Sequence, residues 1–469
     1  MSLEGALESA RGARERDREE FFEELRIPSI STAPEHAADV RRNANWLRRR
    51  FEAMGFETSL TDVEGGRHPV LEAEWKGRSG APLLTIYGHY DVQPPDPLEE
   101  WTSPPFEPTV RDGLVYARGS ADNKGNHFAA LKAAEHWFAA GGPPVNLRFL
   151  IEGEEEISGV SLPRYIRANA ERLATDYVLV WDGGFASDGV PSLTSALRGI
   201  VYTEVRATGA GTDLHSGGFG GIAPNPLNTL ARILGELKDR EGRITVPGFY
   251  EGIIPPTPEE MASWPRGPEY DATLQRIMES DVFEGEAAFD PVERLGARPT
   301  LDVNGFIGGF TGQGSKTVIA REAMAKVSMR LVPGQDPARI FENFSEYVSE
   351  LSTPGVRVEV EDLGSAPSVV CGIDHLAARA AADAFEEAFG VRAQPRRMGG
   401  SIPVAIDFQE ALGAPMVISG LGQPGNGAHS PHEGFSLDHF HRGIEMLIRF
   451  LQGIAGSPRA DGVAENGAS

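Results

Sequence analysis

The chain has 469 residues, with 68 acidic against 44 basic side chains and a formal net charge of -24. So acidic a chain repels phosphate backbones and anionic lipid, which disfavours nucleic-acid and membrane-surface partners. The one cysteine, Cys371, excludes an internal disulfide framework and any multi-cysteine zinc site, and the 40% apolar and 24% charged content is ordinary for a soluble globular protein of two or three domains.

The N-terminal stretch MSLEGALESARGARERDREEFFEELRIPSIS has scattered charges and no apolar segment, unlike a secretory leader. Asp17, Glu19 and Glu20 argue against a transit peptide, and no stretch approaches the roughly 18 apolar residues of a membrane helix, so a cytoplasmic location is expected. Periodicity predicts an entry helix over Leu7 to Leu25 and an amphipathic helix over Ala37 to Met54. Short apolar runs at 83–87, 147–151, 177–181 and 415–418 read as buried strands, alternating with helices at 127–140, 162–173 and 373–389. That alternation predicts an α/β fold: a mostly parallel sheet flanked by helices.

Between Arg198 and Leu363 the rhythm changes. Ile200 to Arg206 alternates with period two, as do residues 325–331, and Val356 to Val360 follows in the same style, with helices expected over Pro226 to Lys238 and Pro337 to Leu351. This predicts a smaller α+β domain inserted into the first, with a long excursion over the Pro-rich 247–268. The expected partition is 1–197 and 365–453 for the first domain, 198–364 for the insert, and a small polar, disordered tail at 454–469.

Potential ligands follow each apolar run of the first domain. Residues 83–87 lead into Gly88-His89-Tyr90-Asp91, residues 147–151 into Glu152-Gly153-Glu154-Glu155-Glu156, residues 177–181 into Asp182, and residues 415–418 through a Gly-rich loop into His429-Ser430-Pro431-His432-Glu433. In open α/β sheets ligands bind beyond the carboxyl ends of the strands. Asp122, in Arg118-Gly119-Ser120-Ala121-Asp122-Asn123-Lys124-Gly125, precedes a helix and joins the same set. Two histidines with several carboxylates and no thiolate suit zinc, manganese or cobalt. Asp91, two residues from His89, has the spacing to hold its imidazole tautomer. Adjacent Glu155 and Glu156 allow one to bind metal while the other acts as general base on water.

The strings GHYDVQP, RGSADNKG, EGEEEISG, DLHSGGFGG, VSMRLVPGQDP, GGSIP and NGAHSPHE occur in this order. Together they resemble the two-metal peptidase family that includes carnosinase, cytosolic non-specific dipeptidase, aminoacylase and acetylornithine deacetylase. The resemblance runs from about Leu25 to Gly453, and DLHSGGFGG with the Lys316-Thr317-Val318-Ile319 and Arg330-Leu331-Val332-Pro333 segments is most similar to the dipeptidase branch. It implies two divalent metals, zinc first and manganese or cobalt as alternatives. His89 and Asp182 would bind one, Glu156 and His429 the other, and Asp122 would bridge them. Asp91 would orient His89, and Glu155 would be the general base. The insert would be a lid that also dimerises, with His215 reaching the partner subunit's site to stabilise the oxyanion. Arg330 would bind the substrate's C-terminal carboxylate, and Thr317, Gly400 and Ser401 would line that pocket. Glu156 is taken as ligand and Glu155 as base because Ile157-Ser158-Gly159 comes next; a shift of one residue is the alternative.

The activity implied is hydrolysis of dipeptides or short peptides with a free C-terminus, through hydroxide bridging the two metals. Deacylation of N-acyl amino acids by the same centre is the alternative. A non-catalytic relative would be expected to have lost Glu155 or a ligand, and none is lost. Trp101 and Phe106 are expected to pack or line the cleft, and His432, His439 and His441 to be structural or surface residues. Gly309 to Thr317 almost matches a phosphate-binding loop, but Ser315 separates Gly314 from Lys316, so nucleotide binding is rejected.

Overall fold

The computed structural model describes residues 2–400 and 402–456. Their contacts divide them into two units, 2–195 with 371–396 and 403–456, and 196–370 with 397–402. Residues 397–400 and 402 belong to the second unit, where two buried arginines hold their segment. Arg397 pairs with Glu260 at 3.2 Å, and Arg198 donates to the Gly399 carbonyl at 3.0 Å.

The first unit is built on a six-stranded sheet. Its order is Glu57–Thr61, Val70–Trp75, Asn146–Glu152, Leu83–His89, Tyr177–Trp181, Met416–Ser419. The last four strands are parallel, and the first two pair antiparallel at one edge. Leu83–His89 and Asn146–Glu152 are buried at every position, as strands covered on both faces must be. The registers align Glu152 with His89, Val180 with Tyr87 and Ser419 with Trp181, so all four chains leave the sheet at the same edge.

The N-terminal helix is two helices, Leu3–Gly12 and Arg14–Leu25, broken at Ala13, whose φ of -109° and ψ of 5° leave the helical region. The second of them is tied to the Asp122 loop. Lys124 Nζ donates to the carbonyls of Glu24 (3.1 Å) and Ile27 (2.8 Å), and His127 Nε2 meets Glu24 Oε1 at 2.8 Å. The last helix, Leu437–Ile454, runs one residue into the segment expected to be disordered; residues 457–469 lie outside the described set. The helix expected over 162–173 stops at Ala168, and that over 373–389 starts at Leu376, where the His375 side chain caps the Ala378 N–H.

The second unit is an antiparallel four-stranded sheet in the order Thr300–Gly308, Glu322–Leu331, Gly199–Thr208, Arg357–Ala366. Strict alternation along Glu322–Leu331 gives it one buried face. Helices Pro226–Glu236 and Pro337–Glu350 cover that face, with Leu230, Ile233, Ile340, Phe344 and Val348 packed on Val201, Val205, Val327 and Met329. The Pro-rich excursion carries short helices at Pro258–Ser263 and Pro268–Met278. Among the described residues no helix is long and apolar enough to cross a membrane.

Candidate metal centre

Three of the predicted ligands stand where parallel strands end: His89 is the last residue of its strand, Asp182 follows Trp181, and Glu156 lies in the 3-10 turn Glu155–Ile157 just past Glu152. Gly88 precedes His89 because a Cβ there would stand 2.7 Å from His127 Cβ and 2.8 Å from Asn123 Oδ1. His429 sits in the loop after Met416–Ser419 with a φ of +62°, a left-handed conformation that costs a non-glycine residue about 1–2 kcal/mol. Backbone bonds from Ser430 to Gly427 (2.9 Å) and from Gly434 to Asn426 (2.8 Å) hold that loop.

Asp122 is the meeting point. Its Oδ1 lies 3.0 Å from His89 Nε2, and its Oδ2 lies 3.0 Å from His429 Nε2. His89 Nε2 is 3.9 Å from Asp182 Oδ1, and His429 Nε2 is 3.1 Å from Glu156 Oε2. The residues form two groups, His89–Asp122–Asp182 and Asp122–Glu156–His429, with Asp122 common to both. Donor atoms about 2.0–2.2 Å from one zinc lie about 3–4 Å apart, so each group fits around one ion.

The charge at the centre fits the same conclusion. Burial opposes a charged His89, yet its hydrogen bonds to Asp122 and Asp91 win and hold its pKa well above the usual imidazole value. Contacts with Asp122 and Glu156 raise His429 to about 10. Burial raises Asp182 to about 6 and Glu155 to about 9, with the neighbouring carboxylates adding to the push. Asp122 goes the other way: burial is outweighed by its two histidines, and its pKa is lowered. Four carboxylates this close draw positive charge from any source. Two divalent cations would supply it in full and leave both imidazoles neutral, as metal ligands must be.

Of the neighbours of the centre, the sequence points to Asp91 but not to Asn123 or Gln93, although all three lie inside the motif strings. Asp91 does more than orient His89. The His89 Nδ1 is 3.1 Å from the Asp91 carbonyl and 3.4 Å from its Oδ1, while the carboxylate also accepts from the backbone N–H groups of Glu155 (3.3 Å) and Glu156 (3.1 Å). Asn123 donates to Asp182 Oδ1 at 2.7 Å and accepts from the His89 N–H at 3.2 Å. Gln93 Nε2 donates to Glu156 Oε2 at 2.8 Å. The three glutamates separate by role. Glu154 is buried and accepts from the N–H groups of Arg67, His68, Val160 and Ser161, which makes it a loop anchor. Glu156 belongs to a ligand group. Glu155 belongs to neither group and lines a small cavity with Tyr87, Glu152, Ser158 and Val404. Behind it, Tyr87 donates to Glu152 at 3.0 Å, and burial pushes Glu152 up to about 8.

The other predicted residues lie in the second unit. The exposed His215 pairs with Val318, and the Ser216 N–H donates to the Thr317 carbonyl at 2.9 Å, so these two elements form one local ladder. The His215 Nδ1 accepts from the Gly217 N–H at 2.9 Å, which directs Nε2 away from its own turn. Arg330 lies on the sheet face opposite the helices, between Ile200 and Thr300. Next to it in charge is Arg198, lowered to about 10 by burial and then by Arg330. Arg198 also holds the Gly399 carbonyl, beside the exposed Gly400. Ser401 lies outside the described residues. The rings of Trp101 and His432 meet edge to face with centroids 6.0 Å apart, and His439 is buried against the Leu421 carbonyl.

The chain is 29% identical over 449 residues to the Cys-Gly metallodipeptidase dug1 of Schizosaccharomyces pombe, covering 92% of this chain and 93% of that one. It is 32% identical over 394 residues to the Beta-Ala-His dipeptidase of Homo sapiens, covering 82% and 77%. Among solved structures, the M20 family metallo-carboxypeptidase Sso-CP2 from Sulfolobus solfataricus is 31% identical, with a TM-score of 0.82 over 94% of this chain and 99% of that one. The family profile itself spans both ligand groups and the whole second unit, matching residues 85–453, and the chain therefore belongs to peptidase family M20/M25/M40.

Proposed function

We propose that this protein is a metal-dependent dipeptidase that hydrolyses dipeptides or short peptides bearing a free C-terminal carboxylate. One observation carries the reading: two ligand groups share Asp122, and Glu155 stands beside them without belonging to either. His89, Asp122 and Asp182 would hold one divalent cation and Asp122, Glu156 and His429 a second, zinc in the first instance, and ions there would supply Lewis acidity for the scissile carbonyl and for water. Asp122 offers one oxygen to each group, and Asp91 keeps the His89 tautomer that presents Nε2. Glu155 takes a proton from water and later hands it to the leaving amine. Arg330 suits the substrate carboxylate because its guanidinium fork matches both oxygens. The family resemblance assigns Thr317, Gly400 and Ser401 to that pocket, and His215 would steady the oxyanion of the site in a partner subunit.

A panel of Ala-Ala, Gly-Leu, Cys-Gly, β-Ala-His, an N-blocked tetrapeptide, N-acetyl-Ala and N-acetylornithine, each with and without chelator, tests this. Chelator-sensitive cleavage of the free dipeptides is the expected result. The likeness to a metallo-carboxypeptidase gives a second reading, in which the tetrapeptide is shortened from its C-terminus. Cleavage of the acylated amino acids alone would overturn both in favour of a deacylase.

The shared site has its own test. His215→Ala and Glu155→Gln are each expected to be inactive. Mixed and allowed to exchange, they are expected to recover up to about a quarter of wild-type activity, because each heterodimer has one site with an intact Glu155 and an intact His215. Verified exchange without recovered activity would refute the contribution across the dimer.

A further inference from the structure

Glu433 is fully buried and lies four residues beyond His429, yet no carboxylate oxygen of it belongs to either ligand group. Its side chain is instead saturated by donors from the Asp122 loop. Oε1 accepts from the N–H groups of Ala121 (2.8 Å) and Asp122 (3.0 Å), and Oε2 from the Gly119 N–H (2.8 Å) and Arg118 Nη1 (2.7 Å). The Glu433 carbonyl accepts from the same loop, from Ala117 N–H at 3.1 Å and Ser120 Oγ at 3.4 Å. Arg118, also buried, spends its second arm on the carbonyls of Pro94 and Ser430, each at 3.2 Å. Ser430 is the residue after His429. One carboxylate and one guanidinium thus staple the loop carrying Asp122 to the loop carrying His429.

We propose that Glu433 is a positioning residue for both metals: it fixes the backbone that aims Asp122 at the two groups, and through Arg118 it fixes the loop that presents His429. This rests on the two-metal reading of the centre. A donor-only partner cannot replace either oxygen, because each already faces two N–H groups. Glutamine has the right shape but turns an NH2 toward two donors, so the cradle must open. Asp122 is common to both groups, so the loss falls on both ions rather than on one.

The test is a zinc titration of metal-stripped wild type and Glu433→Gln by calorimetry, with bound metal counted by mass spectrometry and folding followed by circular dichroism. The expected result is a folded variant whose two sites are both weakened, each by about 10- to 100-fold. Unchanged affinities overturn the proposal, as does weakening of one site alone. So does a lower melting temperature of the stripped protein with unshifted affinities, which is what a purely structural role would give. If Glu433→Gln does not fold, Glu433→Asp decides: it keeps the charge but retracts it by one methylene, and the same paired weakening is expected. Wild type that takes up no metal would overturn the two-metal reading itself, whereas wild type with two metals and an unaffected variant overturns only the role of Glu433.

Discussion

Glu155→Gln is expected to keep both metals and to lose about 10^2- to 10^4-fold in kcat. The amide matches the carboxylate in size, and Glu155 contributes to neither ligand group, so removing its charge leaves both groups intact. The variant loses only the ability to accept a proton. The environment of Glu155 is built for that exchange. Burial pushes its pKa up to about 9, with Asp182, Glu156 and Asp122 adding to the push, and cations bound among those carboxylates would reverse the push and bring it down. A group whose affinity for a proton is held between these opposing effects can take one from water and release it to an amine. Steady-state kinetics with metal analysis on the same preparation checks this. Full activity would move the base elsewhere, and the nearest candidate is Glu152, paired with Tyr87 in the same cavity. A variant stripped of one metal would mean that Glu155 is a ligand, and the glutamate register would have to move by one.

The candidate ligands His89 and Asp182 were legible because each stands at the end of an apolar run, and parallel strands deliver the residues at their carboxyl ends to one edge. The same rule reached Glu156 only as one of an adjacent pair with Glu155, and the resemblance made it the ligand. Asp122 and His429 sit on loops, where no periodicity places a side chain; they joined the candidates as the residue before a helix and the histidine beyond a Gly-rich loop, and their roles came from the motif strings. The supporting shell was invisible for a different reason. Asp91 was read as an anchor for His89, but its hold on the N–H groups of Glu155 and Glu156 depends on backbone geometry that no spacing encodes. Glu154 looked equivalent to its two neighbours until its four backbone donors set it apart. Arg118, Asn123, Gln93 and Glu433 all lie within the motif strings, so three of the strings hold candidate ligands together with residues that aim them. In the fold, the parallel strands were found by their apolar runs. The edge strands Glu57–Thr61 and Thr300–Gly308 were missed because both are largely exposed, and the second is interrupted by a bulge between Val303 and Gly305.

Asp122→Ala is expected to remove both metals and all measurable hydrolysis, an effect larger than the loss of any other single ligand. Its two oxygens point in different directions, Oδ1 toward His89 and Oδ2 toward His429, each at 3.0 Å. Deleting the side chain takes one donor from each group at once. It leaves each group only two of its three donors, His89 with Asp182 and Glu156 with His429, one short of the three protein ligands that catalytic zinc sites use. The carboxylate is also the charge that couples the groups, since it raises both imidazoles and is itself lowered by them. Asp182→Ala and His429→Ala make the contrast. Each removes a donor from one group only, so each is expected to keep one metal per subunit while losing activity. Metal counts of two, none, one and one for wild type, Asp122→Ala, Asp182→Ala and His429→Ala would fit a shared bridging carboxylate. A count of one for Asp122→Ala would instead assign Asp122 to a single ion, and the two groups would then be separate sites joined only by proximity.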